Sequence, residues 1–471
     1  MPCRSVADDG LVLAFEDRRY SRSQLDGLVR GFAGALERRG VRAGQRVALM
    51  SSNRPEFLAA VLAIWRVGAA VVLISPTWKH AEVEHAFALT EPVDAIGDHS
   101  VLADIVLDEA LSEEPGGPVE LRLDDEALLV FSSGTTGMPK AVRHTHRSFA
   151  AAVRQWRRAL AMTSRDRIQV VTPPSHILGL LNIMTALASR AAVRLHARFD
   201  IEALLHHIEA DQITIEMVVA PIALALAAHP ALEDHDLSSL RYFMWGATPV
   251  TADVAETVTR RTGIGWVPAY GTTELPVIAC NPLEGARLDT IGRPVPGVSV
   301  RVVSPETGNP VGAGEIGEIQ ARSESLMAGY LPATATGDAM CDGWYRTGDV
   351  GQIDIGAWLR ITDRAKEMIK VRGFSVAPAE IEAVLYGHPA VKDCAVFGVP
   401  DPLHGEAVVA AVSVRGGALV SADELTALVG ERLATYKRPS RVVFVDEIPR
   451  LPSGKVLRRV VKERYGCPAD S

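Results

Sequence analysis

Hydrophobic positions recur along this chain at two periods, and the local period predicts helix or strand. Between Ser21 and Arg39, Leu25, Val29, Phe32 and Leu36 follow one another at spacings of four, three and four, behind Ser21 or Ser23 as a cap. That spacing lays one apolar stripe along a helix. From Phe57 to Ser75 the chain is apolar almost throughout, FLAAVLAIWRVGAAVVLIS, but Arg66 and Gly68 interrupt it. A cation at a bilayer centre costs about 2.5–3.5 kcal/mol. The stretch is therefore expected to form a buried helix (Glu56 to Val67), a short turn and a buried strand, AVVLIS. RVALMS, ALLVFSS, IQVVTP and RLHARF are further short strand candidates, most of them separated by helical runs, which is the pattern of a parallel α/β core. Beyond about Gly271 the texture changes to short alternating strands, VSVRVVSP, GEIGEIQAR and WLRIT, with Gly and Pro between them, predicting a small β-rich subdomain. After Thr362 strand, helix and strand return through a basic tail. The predicted fold is α/β, with a large N-terminal domain (1–362) of α/β subdomains plus the β-rich one, and a small α+β C-terminal domain (363–471).

Composition narrows the function. A chain of 471 residues with 48% hydrophobic content buries a core without disulfides or structural metals. A net charge of −8 excludes a general nucleic-acid binder, whose footprint is basic. Cys3, Cys280, Cys341, Cys394 and Cys467 are odd in number and far apart, with no pair at metal-ligand or redox spacing. The start, MPCRSVADDG, has no basic region followed by an apolar one, so neither a secretory signal nor a transit peptide is read, and a reducing cytoplasm is the expected location. Charge divides unevenly: from Arg364 to Ser471 there are 16 Lys and Arg against 13 Asp and Glu, a local +3 that leaves −11 on the rest.

The strongest local chemistry is a strand running into a glycine and hydroxyl loop, LLVFSSGTTGMPKAVRHTH, with Ser132, Ser133, Gly134, Thr135, Thr136, Gly137 and Lys140. Glycines let backbone N–H groups approach phosphate oxygens, hydroxyls add donors and a lysine adds a compact charge. It is not the nucleotide-triphosphatase P-loop, because Pro139 stands where that motif has Gly before its Lys. Lysine usage points the same way. Only eight lysines occur, at 79, 140, 366, 370, 392, 437, 455 and 462, and none lies between 141 and 365. A chain that uses Arg elsewhere keeps Lys where a slim point charge is needed.

With YGTTE (Tyr270 to Glu274), DGWYRTGDVG (Asp342 to Gly351), DRAKEMIK (Asp363 to Lys370) and PSGKVLRR (Pro452 to Arg459), SSGTTGMPK completes five motifs in order over more than 300 residues. Together they resemble the core motifs of the adenylate-forming ligase superfamily, which contains acyl-CoA and aryl-CoA synthetases, peptide-synthetase adenylation domains and firefly-type luciferases. The resemblance implies a carboxylate–CoA ligase with ATP, Mg²⁺ and CoA: a carboxylate attacks the α-phosphorus of ATP, and the acyl group then passes from AMP to a thiol. It implies that Thr135, Thr136 and Lys140 hold the β- and γ-phosphates and Thr273 the α-phosphate, with Ser133, Gly134, Gly137, Gly271 and Thr272 also binding the nucleotide. Glu274 would ligate Mg²⁺. Tyr270 and the Gly246–Ala247–Thr248 turn would flank adenine, and Asp349 and Arg364 would hold the ribose. Lys455 would reach from the small domain to the carboxylate and the α-phosphate. The resemblance also makes the C-terminal domain mobile, hinged at Lys366, so that Arg372, Gly373 and Phe374 replace the PSGK loop and line a thiol tunnel.

Where peptide-synthetase adenylation domains place an aspartate for a substrate ammonium, this chain reads TPPSHILGL, so an amino acid is not the expected substrate. His176 matches the aromatic or His position beside the substrate carboxylate in acyl- and aryl-CoA ligases. Met244, Trp245, Leu275, Pro276 and Val277 are expected as apolar pocket walls, which points to an uncharged carboxylic acid. Two residues depart from the family pattern. Trp245 stands where relatives commonly have a small serine, and Ala141 where they have Gly. Trp245 is expected either to shorten the acyl pocket or to crowd the nucleotide, and in the second case the protein would mainly form thioesters from a supplied acyl-adenylate. The residues leave two further activities open: transfer to a carrier-protein pantetheine, and acyl-adenylate binding by a non-catalytic regulator. A monomer or a homodimer, without nucleic acid or membrane span, is expected.

Overall fold

Ala70–Ile74 is buried along its whole length, as a strand covered on both faces must be. It pairs in parallel with Arg46–Met50 on one side and Glu126–Ser132 on the other. The computed structural model describes residues 10–98, 105–106, 117, 119–132, 139–248, 252–364, 367–371, 374–401, 405–450 and 455–466. Around this strand it builds a seven-stranded sheet in the order Gly329–Leu331, Lys140–Thr145, Glu126–Ser132, Ala70–Ile74, Arg46–Met50, Asp94–Gly97, Ile105–Val106. The first two of these strands run antiparallel to their neighbours. A second sheet has nine strands, in which Trp266–Tyr270, Tyr242–Trp245, Ile215–Val218, Arg167–Val170, Ala192–Leu195 and Leu11–Phe15 are parallel neighbours.

Helices cover both sheets. Arg22–Arg38 begins at a capping box formed by Ser21 and Gln24 and buries Leu25, Val29, Phe32 and Leu36, the stripe read from the sequence. Pro55–Arg66 carries Pro at its first turn, where the missing N–H costs nothing. Among the described residues, no helix is long and apolar enough to cross a membrane. One strand expectation needs correction. The sequence predicts RLHARF as a strand over 194–199, but the strand is Ala192–Leu195. Arg194 turns into the protein to pair with Asp211 at 2.6 Å, and His196 leaves the sheet to bond Gln169.

The β-rich subdomain is an antiparallel five-stranded sheet of Val298–Val303, Gly317–Ser323, Trp344–Ile353, Met340–Cys341 and Leu359–Arg364. Its last strand pairs Asp349 with Arg364 and runs two residues past the division read at 362/363. The C-terminal sheet joins Phe374–Val376, Ile369–Val371, Gly405–Val414, Val391–Asp401 and Arg441–Phe444. Helices Pro378–Tyr386 and Ala422–Arg432 pack into its core through Ile381, Leu385, Leu425 and Val429.

Candidate active site

Parallel strands deliver their carboxyl ends to one side of a sheet, and ligands bind there in open α/β folds. A cavity of about 1840 Å³ opens at that edge. Tyr242–Trp245 leads into Gly246, Ala247 and Thr248, Trp266–Tyr270 leads into Gly271–Glu274, and Arg167–Val170 leads toward His176, and all of these turns line the cavity. The β-rich subdomain adds Asp349, the other sheet adds Lys140, and the C-terminal domain adds Lys455. Lys140, Glu274, Asp349, His176 and Lys455 therefore face one space.

The 271–276 loop is held tightly. A Cβ at Gly271 would lie 2.0 Å from the Pro276 carbonyl oxygen, so only glycine fits there. Thr272 N–H donates to Leu275 O at 3.0 Å, and Leu275 N–H returns to Thr272 Oγ1 at 3.0 Å. Glu274 is buried and accepts the Tyr330 hydroxyl at 2.7 Å, while Lys140 Nζ stands 5.5 Å from the centroid of the Tyr330 ring. Tyr345, also buried, bonds Thr272, and burial keeps its hydroxyl protonated. Tyr270 donates its hydroxyl to Asp349. A hard, buried carboxylate oriented by a phenol and flanked by a cation-bearing strand suits a magnesium ion that shares phosphate oxygens.

His176 caps the helix Ile177–Ser189 and accepts Leu178 N–H. Burial, and then the charge of Lys455, push its imidazole down to about 4. His196 is held at about 4 as well, by burial first and then by His207 and Arg194. Unfolded imidazoles protonate near 6.5, so between about pH 6.5 and 4 the unfolded chain binds more protons and stability rises with pH. Acidification through that window is expected to lower the urea midpoint, and His196→Gln, which keeps a polar group beside Gln169, is expected to flatten the decline. Identical profiles for the parent and the variant would exclude His196 as a contributor.

The expected pocket walls divide. Met244 and Pro276 line the cavity, whereas Trp245, Leu275 and Val277 do not. Trp245 is fully buried on the opposite side of its strand, 5.1 Å from the Trp266 ring, and its Nε1–H donates to Thr248 Oγ1 at 3.1 Å. Its ring thus forms no part of the cavity wall that was expected of it. Ala141 is likewise buried away from the cavity, against the core. Ser133, Gly134, Thr135, Thr136, Gly137, Lys366, Arg372 and Gly373 lie outside the described residues, as does the side chain of Arg364. The sequence reading missed Tyr330, Tyr345 and His144, whose partners are far away in the chain. Alternation along Lys140–Thr145 was the one available clue to His144.

Away from the cavity, Glu202, His229 and His235 bring ligand atoms within 4.8 Å of one another. His229 Nδ1 accepts the Ala231 N–H, so Nε2 carries the hydrogen that bonds Glu202 at 3.0 Å. That is a hydrogen bond and not a ligand set.

The AMP-binding enzyme model matches residues 4–331, and the AMP-binding enzyme C-terminal domain model matches residues 380–455. The chain belongs to the AMP-binding enzyme family. This AMP-binding enzyme is 35% identical to a feruloyl-CoA synthase of an Amycolatopsis species, with 94% of each chain covered. It is 34% identical to 4-coumarate–CoA ligase 1 of Oryza sativa subsp. japonica, over 98% of this chain and 89% of that one. The ATP-bound MatB structure from Rhodopseudomonas palustris superposes with a TM-score of 0.91 at 28% identity, covering 97% and 96% of the two chains. Within the family it stands with the AMP-forming carboxylate–CoA ligases.

Proposed function

We propose that this enzyme activates an uncharged aromatic carboxylic acid with ATP and passes the acyl group to the thiol of CoA. The observation that carries the reading is the convergence of Lys140, Glu274, Asp349, His176 and Lys455 on one cavity, with an apolar wall beside His176. Leu178 and Met244 flank Gly246, each within ordinary contact of a Cβ placed there, and Ala220, Leu224 and Pro276 extend the wall. Flat apolar acids suit such a wall, and the feruloyl-CoA synthase and coumarate ligase among the relatives bear names of that class.

Two anions must meet, so charge has to be neutralised before the reaction. Lys455 orients the carboxylate toward the α-phosphorus and offsets its charge. Thr273 donates to the α-phosphate, and Thr135, Thr136 and Lys140 hold the outer phosphates. Asp349 accepts from the ribose, with Arg364 as its companion, and Tyr270 lies along adenine. Glu274 would hold magnesium, which when bound supplies positive charge to the phosphates. Lys455 fills the place a pantetheine arm needs, so the C-terminal domain must turn about Lys366 before thioester formation, bringing Arg372 and Gly373 to the tunnel. That turn breaks the bond from Ala379 N–H to Asp363 Oδ2, 2.9 Å across the junction. The domain division is proposed accordingly, with the core ending at Arg364 and the lid following it.

Pyrophosphate release over cinnamate-type, benzoate-type, short and branched acids, with CoA, a carrier protein or neither, tests the reading. Release with planar aromatic acids and turnover on free CoA are expected, and silence with every acid would refute it. Trp245→Phe removes one hydrogen bond from the 246–248 turn, worth about 0.5–1.5 kcal/mol. It is expected to raise KM for ATP about three- to tenfold with kcat little changed, measured by initial rates, and an unchanged KM would separate Trp245 from the nucleotide.

A further inference from the structure

Side chains alternate along a strand, so Lys140, Val142 and His144 share one side of Lys140–Thr145. That side lies beneath the loop that carries Thr273 and Glu274. Lys140 reaches toward the Tyr330 ring, and Val142 packs with Met327 and Tyr330. His144, with no exposed surface, places Nε2 2.8 Å from the Thr273 carbonyl oxygen and Nδ1 3.2 Å from Ser148 Oγ. A carbonyl oxygen only accepts, so Nε2 carries the hydrogen; in the neutral ring Nδ1 is then an acceptor facing the Ser148 hydroxyl, which also lies 3.2 Å from Thr145 O. The next carbonyl, that of Glu274, accepts the Met327 N–H at 2.8 Å. Both carbonyls of the pair are thus tied to fixed groups of the core. Burial also favours the neutral imidazole that this bonding requires.

We propose that His144 is a positioning residue for adenylation: its Nε2–H ties the Thr273 carbonyl to the strand that carries Lys140, fixing the phosphate lysine and the Thr273–Glu274 pair at one separation. The catalytic part of this proposal rests on the ligase reading above. The positional part does not.

Glutamine and asparagine distinguish the two ring nitrogens, since a glutamine amide reaches the place of Nε2 and an asparagine amide that of Nδ1. In ATP–pyrophosphate exchange, His144→Gln is expected within about threefold of the parent and His144→Asn about tenfold or more below it in kcat, because small misplacements near reacting groups cost that much. Thioester formation from a supplied acyl-adenylate is expected to stay within about threefold for both. Deuterium uptake over residues 270–278, read without substrate, is expected to rise in His144→Asn and not in His144→Gln. Equal exchange rates in the two variants, or an equal loss in both half-reactions, would overturn the proposal. So would equal deuterium uptake. If asparagine prevents folding, His144→Gln decides, and an exchange rate more than about tenfold below the parent overturns the proposal. A parent without any exchange activity would count against the ligase reading, and the deuterium comparison would still decide the positional role.

Discussion

Lys455→Ala is expected to slow ATP–pyrophosphate exchange about 10³-fold while thioester formation from a supplied acyl-adenylate stays within about fivefold of the parent. Removing one preorganised donor from a site where charge develops costs about 10²–10³ in rate, and in the proposed role the donor also offsets the repulsion between two anionic reactants. The lysine stands on a firm base. Val456 bridges to Arg450, Leu457 N–H bonds Pro449 O at 2.9 Å, and Arg458 is held by Glu382 at 2.7 Å, by Glu367 and by Val396 O. These contacts are made by neighbouring residues, and the thioester assay run in parallel separates loss of the ammonium from a loosened domain. A second sign is independent of turnover. The charge of Lys455 helps hold His176 at about 4, so the His176 titration followed by NMR is expected to move upward in the variant. An exchange rate within about tenfold of the parent, or a thioester step equally impaired, would remove Lys455 from the proposed role.

How much of this site the sequence discloses depends on how far apart its partners lie. Lys140, Glu274, Asp349 and Lys455 sit inside contiguous motifs: Lys140 opens a strand, Glu274 and Lys455 lie in loops, Asp349 lies within the strand Trp344–Ile353, and all four line the cavity. The pocket walls were less readable, because adjacency in sequence opposes adjacency in space at a strand end. Met244 faces the cavity, and Trp245, its neighbour, faces the Trp266 side. Leu275 and Val277 were misplaced for a related reason. The loop folds back on Gly271 so closely that Pro276 is left at the cavity while its two neighbours enter the core. The supports of the site were the least visible. Tyr330 bonds Glu274 across 56 positions and His144 bonds Thr273 across 129, and no local pattern encodes such a pairing. Fold elements were easier, because a helix such as Arg22–Arg38 or a strand such as Ala70–Ile74 writes its burial into its own spacing.

Glu274→Gln is expected to lower kcat of pyrophosphate exchange about 10²-fold and to raise the magnesium concentration for half-maximal rate at least about tenfold. The two side chains have nearly the same shape, and the amide oxygen can still accept the Tyr330 hydroxyl, so the melting temperature should stay close to the parent's. What changes is charge. Magnesium at phosphate sites is held by one or two carboxylates together with substrate oxygens and gives up its water reluctantly, so a neutral amide in place of a carboxylate weakens its hold on the nucleotide-bound ion. Tyr330→Phe makes the complementary change, since it keeps the charge and removes the group that aims it. Its effect is expected to be smaller, about three- to tenfold in kcat, with the magnesium requirement nearly unchanged. A magnesium titration of exchange for the parent and both variants separates these outcomes. If Glu274→Gln and the parent share one midpoint, the carboxylate is a structural partner of Tyr330 and not a ligand, and the metal must be sought on phosphate oxygens alone.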